Sequence, residues 1–261
     1  MLNYQVKGNA NKVLIFIHGN SSSLEIWNDV VNNSLLTDYK LISVDLPGHG
    51  NSFRSTTPEK DYTLKGLALQ LTEFLKQLAV SEYILVGNSL GCNIVGEAID
   101  GLSNCKGIVF TSSSAIGKNL TVADIIKPNP NVSALFMPEA SDEQIDLLIG
   151  DIAYSLTATQ KELIKTMYKK TDPQVRVQIG TAVGKQEYGD ELKNIETTKI
   201  PTAVIFGEED KLCFTDYLDK VPFAKWKNKT FLIPNSGHFS QLDQPQALAK
   251  LIKEFAGDCF K

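Results

Sequence analysis

Six short runs of apolar, largely β-branched residues recur along this chain: Val13–Ile17, Leu41–Val44, Tyr83–Val86, Gly107–Phe110, Ala203–Phe206 and Phe231–Ile233. None alternates with polar residues as a strand with one wet face would, so each reads as a strand buried on both faces. Between the runs lie helical patterns. Over Leu64–Leu78 the apolar positions Leu64, Leu67, Leu71, Phe74, Leu75 and Leu78 keep the three-and-four rhythm of one helix face, and Leu90–Ile99 and Leu248–Phe255 do likewise. Strands alternating with helices predict an α/β fold, a mostly parallel central sheet with helices on both faces. Such a sheet needs a large apolar inventory, which 261 residues at 43% apolar and 21% charged supply.

The alternation breaks between residues 115 and 195, where no strand pattern stands out but helix starts do. Ser141 with Gln144 three residues on is a capping-box pattern ahead of Ile145, Leu148, Ile149 and Ile152, and Asp172–Pro173 pairs an N-cap residue with proline at the first helical position. The proline-rich stretch KPNPNVSALFMP connects them. The expected organisation is therefore a core of residues 1–114 and 196–261 carrying a helical cap, or lid, inserted at 115–195.

Bulk charge excludes one class of partner. With 26 basic against 30 acidic residues the net charge is −4, whereas nucleic acid demands a basic footprint. The four cysteines, Cys92, Cys105, Cys213 and Cys259, are dispersed and form no C-x-x-C pair, so neither a disulfide framework nor a zinc site is expected, and reduced thiols in a cytoplasm are. The apolar run near the start, Val13–Ile17, is bounded by Lys12 and His18 and is too short for a signal peptide or a membrane span.

The stretch LVGNSLGCN sets Ser89 between Gly87 and Gly91, where a strand ends and a helix begins. A serine hydroxyl is a weak nucleophile at its own pKa and needs a base. Only His18, His49 and His238 exist to supply one. His238, in SGHFSQLDQP between the last strand run and the last helix, is the best placed; His18 and His49 read as loop histidines bonded to backbone. The base in turn needs a carboxylate to fix its tautomer, and Glu208, Glu209 and Asp210 follow a strand end directly. For an oxyanion, the Leu90 N–H at a helix start is one donor, and the HGNSSS loop offers Asn20 or Ser21 as the other.

These pieces, in the order Ser…acid…His, resemble the α/β-hydrolase superfamily and its nucleophile elbow. FIHGNSSSLEIW is similar to the family's oxyanion loop, DLPGHGNS to the loop before its second large helix, IPTAVIFGEEDKL to its acid strand and SGHFSQLDQP to its histidine loop, although the family more often has Glu where Asp243 stands. The resemblance implies the α/β-hydrolase fold and places the acid on Asp210. It implies a mechanism in which His238 takes the Ser89 proton, Asp210 orients His238, and the amides of Leu90 and Asn20 hold the oxyanion, with no metal or cofactor. Chains of this pattern resemble carboxylesterases acting on a small-molecule substrate. Carbon–carbon bond hydrolases, cofactor-free haloperoxidases and ligand-sensing members built on the same triad are the alternatives. Ser21, Phe136, Met137, Tyr154, Met167 and Tyr168 are the candidate lining of a substrate pocket; packing within the cap is their competing use.

Overall fold

A computed structural model describes residues 1–78, 80–222 and 224–261. Each of the six apolar runs lies within a strand. They are β2 (Val13–Ile17), β3 (Lys40–Val44), β4 (Tyr83–Asn88), β5 (Cys105–Thr111), β6 (Thr202–Gly207) and β7 (Thr230–Ile233). Every residue of β2, β4 and β6 is buried, at odd and even positions alike, because helices cover both faces of the sheet. A further strand, β1 (Tyr4–Lys7), runs antiparallel to β3 with Tyr4 opposite Val44. It was not legible as an apolar run because it is an edge strand exposed along its length.

The strand order is β1-β3-β2-β4-β5-β6-β7, and β2 to β7 run parallel to one another. Connections from β2 lead to one side of the sheet and those from β4 to the other, so the order reverses between these two strands. At such a switch point the loops leaving the carboxyl ends diverge and open a crevice. Ile17 pairs with Gly87. The loops that follow, His18–Ser23 and Ser89–Leu90, therefore start side by side.

Helix α1 (Leu64–Leu78) buries the stripe its spacing predicts, and packs beside α2 (Leu90–Ala98). The insert between β5 and β6 carries α3 (Asp142–Ile152), α4 (Ala158–Lys170), α5 (Pro173–Gly184) and α6 (Glu191–Thr198). Ser141 and Gln144 form the expected capping box on α3, Thr157 and Gln160 form another on α4, and Asp172 caps α5 ahead of Pro173. The expected boundary at 195 falls inside α6. That helix packs on α2, where a Cβ at Gly96 would lie 2.6 Å from the Cβ of Glu191. The final helix, α7 (Pro245–Cys259), sets Phe255 against Gly107 of β5. Among the described residues no helix is long and apolar enough to cross a membrane.

Candidate active site

Ser89 follows the last residue of β4 with φ 50° and ψ −120°, a left-handed conformation that costs a non-glycine residue about 1–3 kcal/mol. Two bonds impose it: the Ser89 N–H donates to Thr111 O at 3.1 Å, and its carbonyl accepts from Cys92 N–H at 2.8 Å. The flanking glycines are required by close approach. A Cβ at Gly91 would sit 2.6 Å from the Ile17 carbonyl oxygen, and one at Gly87 would sit 2.9 Å from the Gly91 carbonyl carbon. Only with both side chains absent can α2 start this near to β2.

Asp210 and His238 come together at the carboxyl ends of β6 and β7. His238 Nδ1 lies 2.9 Å from Asp210 Oδ2, while Asp210 Oδ1 accepts from the N–H groups of Leu212 (2.8 Å) and Cys213 (3.0 Å). Burial acts to raise the Asp210 pKa, but His238 and these hydrogen bonds outweigh it and hold the carboxyl below its ordinary value. An ionised carboxylate only accepts, so Nδ1 carries the imidazole proton and Nε2 keeps a free lone pair. That Nε2 is buried and has no hydrogen-bond partner among the described residues. Cys213 brings a third donor atom within 4.8 Å of the pair, yet burial pushes its thiol well up and keeps it protonated.

Side chains next to Ser89 join the two halves of this arrangement. Asn88 donates through Nδ2 to His238 O at 3.5 Å and accepts at Oδ1 from Gln241 Nε2 at 3.2 Å. The histidine loop is also tied to the insert between β5 and β6. His238 N–H donates to Ile152 O at the end of α3 (2.7 Å), and the Asp243 carboxylate accepts from Gly237, Tyr154 and Ser155 N–H groups. The three consecutive acids have three different fates. Glu208 is exposed, Glu209 accepts from the Asn235 and Ser236 N–H groups of the histidine loop, and Asp210 alone is buried against His238.

The other two histidines support the loop after β2. Leu46 N–H donates to His18 Nε2 at 3.0 Å and Ser21 N–H donates to His49 Nε2 at 3.3 Å, so both rings carry their proton on Nδ1, facing the carbonyls of Gly19 and Pro47 respectively. The Ser21 N–H is thereby occupied. The Asn20 and Leu90 N–H groups donate to no described residue.

Burial lowers the pKa of His18 and takes that of His49 well down, with the neighbouring His18 adding to the second shift. Both rings are neutral in the fold, whereas in the unfolded chain they protonate near pH 6.5. Their stabilisation is full above that pH and is lost as pH falls toward the folded values, at up to about 1.4 kcal/mol per pH unit for each group. Glu191 pulls the other way. Burial raises its pKa well above normal, so its contribution to stability runs against that of the two histidines as pH falls. Melting temperature is expected to fall from pH 7 to pH 5, and His49→Gln, whose amide oxygen can still accept from Ser21, is expected to fall less steeply. Equal slopes would show that His49 does not titrate in this range.

Ser89 lines an open cleft of about 100 Å³, lined also by Asn20, Leu90 and Phe136. Most of the wall is aliphatic and was not singled out from the sequence: Ile125, Ile126, Val132 and Leu135 come from the start of the insert, Ile179 and Val183 from α5. The last two lie four apart on one helix face, a spacing that could have found them. Ser21, Met167 and Tyr168 line instead a smaller cavity of about 20 Å³ that shares Asn20 and Leu135 with the cleft. Two pocket expectations are corrected. Met137 lines neither space, and its carbonyl accepts from Arg176 Nε at 2.8 Å. Tyr154 is 49% exposed with its hydroxyl on Asn235, because the α3–α4 turn faces outward over the histidine loop.

Comparison with known proteins gives a consistent picture. The profile of the family described as alpha/beta hydrolase fold matches residues 12–245. A monoacylglycerol lipase of Xenopus laevis is 22% identical over 261 residues, covering 95% of this chain and 76% of its own. The crystal structure of the N-acyl homoserine lactonase AidH, complexed with N-butanoyl homoserine, superposes with a TM-score of 0.90 at 24% identity, covering 100% of this chain and 94% of the lactonase. An esterase of Exiguobacterium antarcticum superposes at 0.78 with 16% identity, covering 98% and 95% of the two chains. At these identities the likeness between structures is one of fold.

Proposed function

The chain belongs to the α/β-hydrolase family, and from that premise we propose that it is a serine hydrolase cleaving carboxylic esters of small, largely apolar molecules through an acyl-enzyme on Ser89. The observation that carries this reading is the buried Asp210–His238 pair, whose tautomer leaves Nε2 unpartnered on a loop that Asn88 ties to Ser89. His238 Nε2 takes the Ser89 proton as Oγ attacks the carbonyl carbon, and Asp210 stabilises the imidazolium that forms. The N–H groups of Leu90 and Asn20, free of other acceptors, serve the oxyanion, whereas the Ser21 N–H is committed to His49. His238 then gives its proton to the leaving alkoxide, and water, deprotonated by the same nitrogen, releases the acid.

Lactones are cyclic esters open to the same chemistry, and the fold likeness to an N-acyl homoserine lactonase makes them the second class to try. The four cysteines are all free, in keeping with a reducing compartment such as the cytoplasm. Rapid multiple turnover would set aside a ligand-sensing role.

The test is a panel of nitrophenyl esters graded by acyl length, with N-acyl homoserine lactones alongside. Val183→Phe narrows the aliphatic cleft and is expected to move the kcat/KM optimum to shorter acyl chains. Met167, in the smaller cavity, is expected to leave the profile unchanged when trimmed to alanine while lowering stability by about 2–5 kcal/mol. A shifted profile in Met167→Ala, with none in Val183→Phe, would move the acyl site to the other side of Asn20.

A further inference from the structure

Arg176 of α5 is 2% exposed, and among the described residues no carboxylate lies within ion-pair distance of it. Its guanidinium is instead spread over neutral acceptors on separate segments. Nε donates to Met137 O at 2.8 Å, Nη2 to Pro138 O at 2.6 Å, and Nη1 to Tyr168 O at 3.2 Å, with the Tyr168 ring 4.2 Å from the guanidinium carbon. The remaining contact leads into the site: Nη1 lies 3.4 Å from Ser21 Oγ. Packing alone does not call for a charge here, since apolar residues of similar volume can replace buried charges without loss of stability.

What a guanidinium supplies and an apolar residue cannot is direction. It only donates, so the Ser21 lone pairs face it and the Ser21 hydroxyl donates onward to Asn20 Oδ1 at 3.1 Å. That bond orients the Asn20 amide, whose Nδ2 donates to Leu135 O at 2.7 Å. The chain closes on itself, because Leu135 belongs to the segment that Arg176 grips through Met137 and Pro138. Tyr168 holds the same segment through its hydroxyl on Ala134 O at 2.6 Å.

We propose that Arg176 is a positioning residue for the oxyanion half of the site, acting through Ser21 on Asn20 and thereby on the direction of the Asn20 N–H. This rests on the reading of Asn20 as an oxyanion donor given above. Negative charge develops on the carbonyl oxygen mainly in the transition state, so a misdirected donor lowers kcat more than it raises KM. Complete loss of such a donor lowers kcat about 10²–10³-fold, and misdirection is expected to lower it about tenfold.

The experiment compares wild type, Ser21→Ala, Arg176→Lys and the double variant on the best ester of the panel, measuring kcat, KM and melting temperature, with Ser89→Ala as control. Ser21→Ala removes one hydroxyl and touches none of the bonds from Arg176 to the cap. It is expected to lower kcat about tenfold, with KM within about twofold and melting almost unchanged. The double variant is expected to have the kcat of Arg176→Lys alone, since both changes cut the same chain. The proposal is overturned if Ser21→Ala keeps kcat within twofold of wild type, if the two losses add, or if the loss lies in KM. Should Arg176→Lys fail to fold, Ser21→Ala decides by itself. Unimpaired turnover in the Ser89→Ala control would instead sink the serine mechanism, and this proposal with it; an inactive control confines a negative result to Arg176.

Discussion

Ser89→Ala should lower kcat by about 10⁴-fold or more while the protein melts at its wild-type temperature. Ser89 lines the cleft, and what holds its turn is backbone, Ser89 N–H on Thr111 O and Cys92 N–H on Ser89 O. Ser89→Gly sharpens the test, because glycine occupies φ 50° without strain. It should be equally inactive and melt at or above wild type, showing that the turn was strained to present the hydroxyl. Ester hydrolysis read alongside thermal melting decides the matter, and near-wild-type turnover in a folded Ser89→Ala protein would end the serine mechanism. Cys92 could not then take over as nucleophile. It is fully buried, its thiol donates to Gly87 O, and burial raises its pKa far from the thiolate range.

Asp210→Asn should be the next most damaging change, with kcat down by at least about a hundredfold; the matching substitution in a serine protease triad lowers turnover about 10⁴-fold. The cause is the proton on the imidazole. Asparagine can turn its amide N–H toward Nδ1, which moves the ring proton to Nε2 and removes the lone pair meant for Ser89. Glu208→Gln, at an exposed position, should stay within about twofold, in the range expected of a surface substitution. Glu209→Gln should fall between, since its two oxygens hold the Asn235 and Ser236 N–H groups and an amide retains only one acceptor. Steady-state kinetics on the three variants separates them. A Glu209→Gln protein more impaired than Asp210→Asn would transfer the orienting role to the loop-holding carboxylate.

The α/β architecture was legible in the sequence because doubly buried parallel strands leave unbroken apolar runs, and amphipathic helices leave a 3.6-residue rhythm. Val13–Ile17 and Leu64–Leu78 match the observed elements end for end. Local capping chemistry was equally plain at Ser141 and Asp172, where the signal and its effect lie within three residues. What escaped was whatever depends on a remote neighbour. Tyr4–Lys7 is a strand only because β3 is there to pair with it, and α6 lies against α2 because Gly96 makes room for Glu191.

The same division holds at the site. Residue types and order pointed to Ser89, His238 and an acid among residues 208–210 as candidates, because each lies at or after the carboxyl end of a strand run. The resemblance implied Asp210 and Asn20; the structure adds that Asp210 is the acid buried against His238, and that a histidine 28 positions away occupies the Ser21 N–H. Most of the aliphatic cleft wall was decided by tertiary structure. Phe136 and Met137 are adjacent in the chain, yet one faces the cleft and the other gives its carbonyl to Arg176, since the facing of a loop side chain is set by what packs across it and not by its own chemistry.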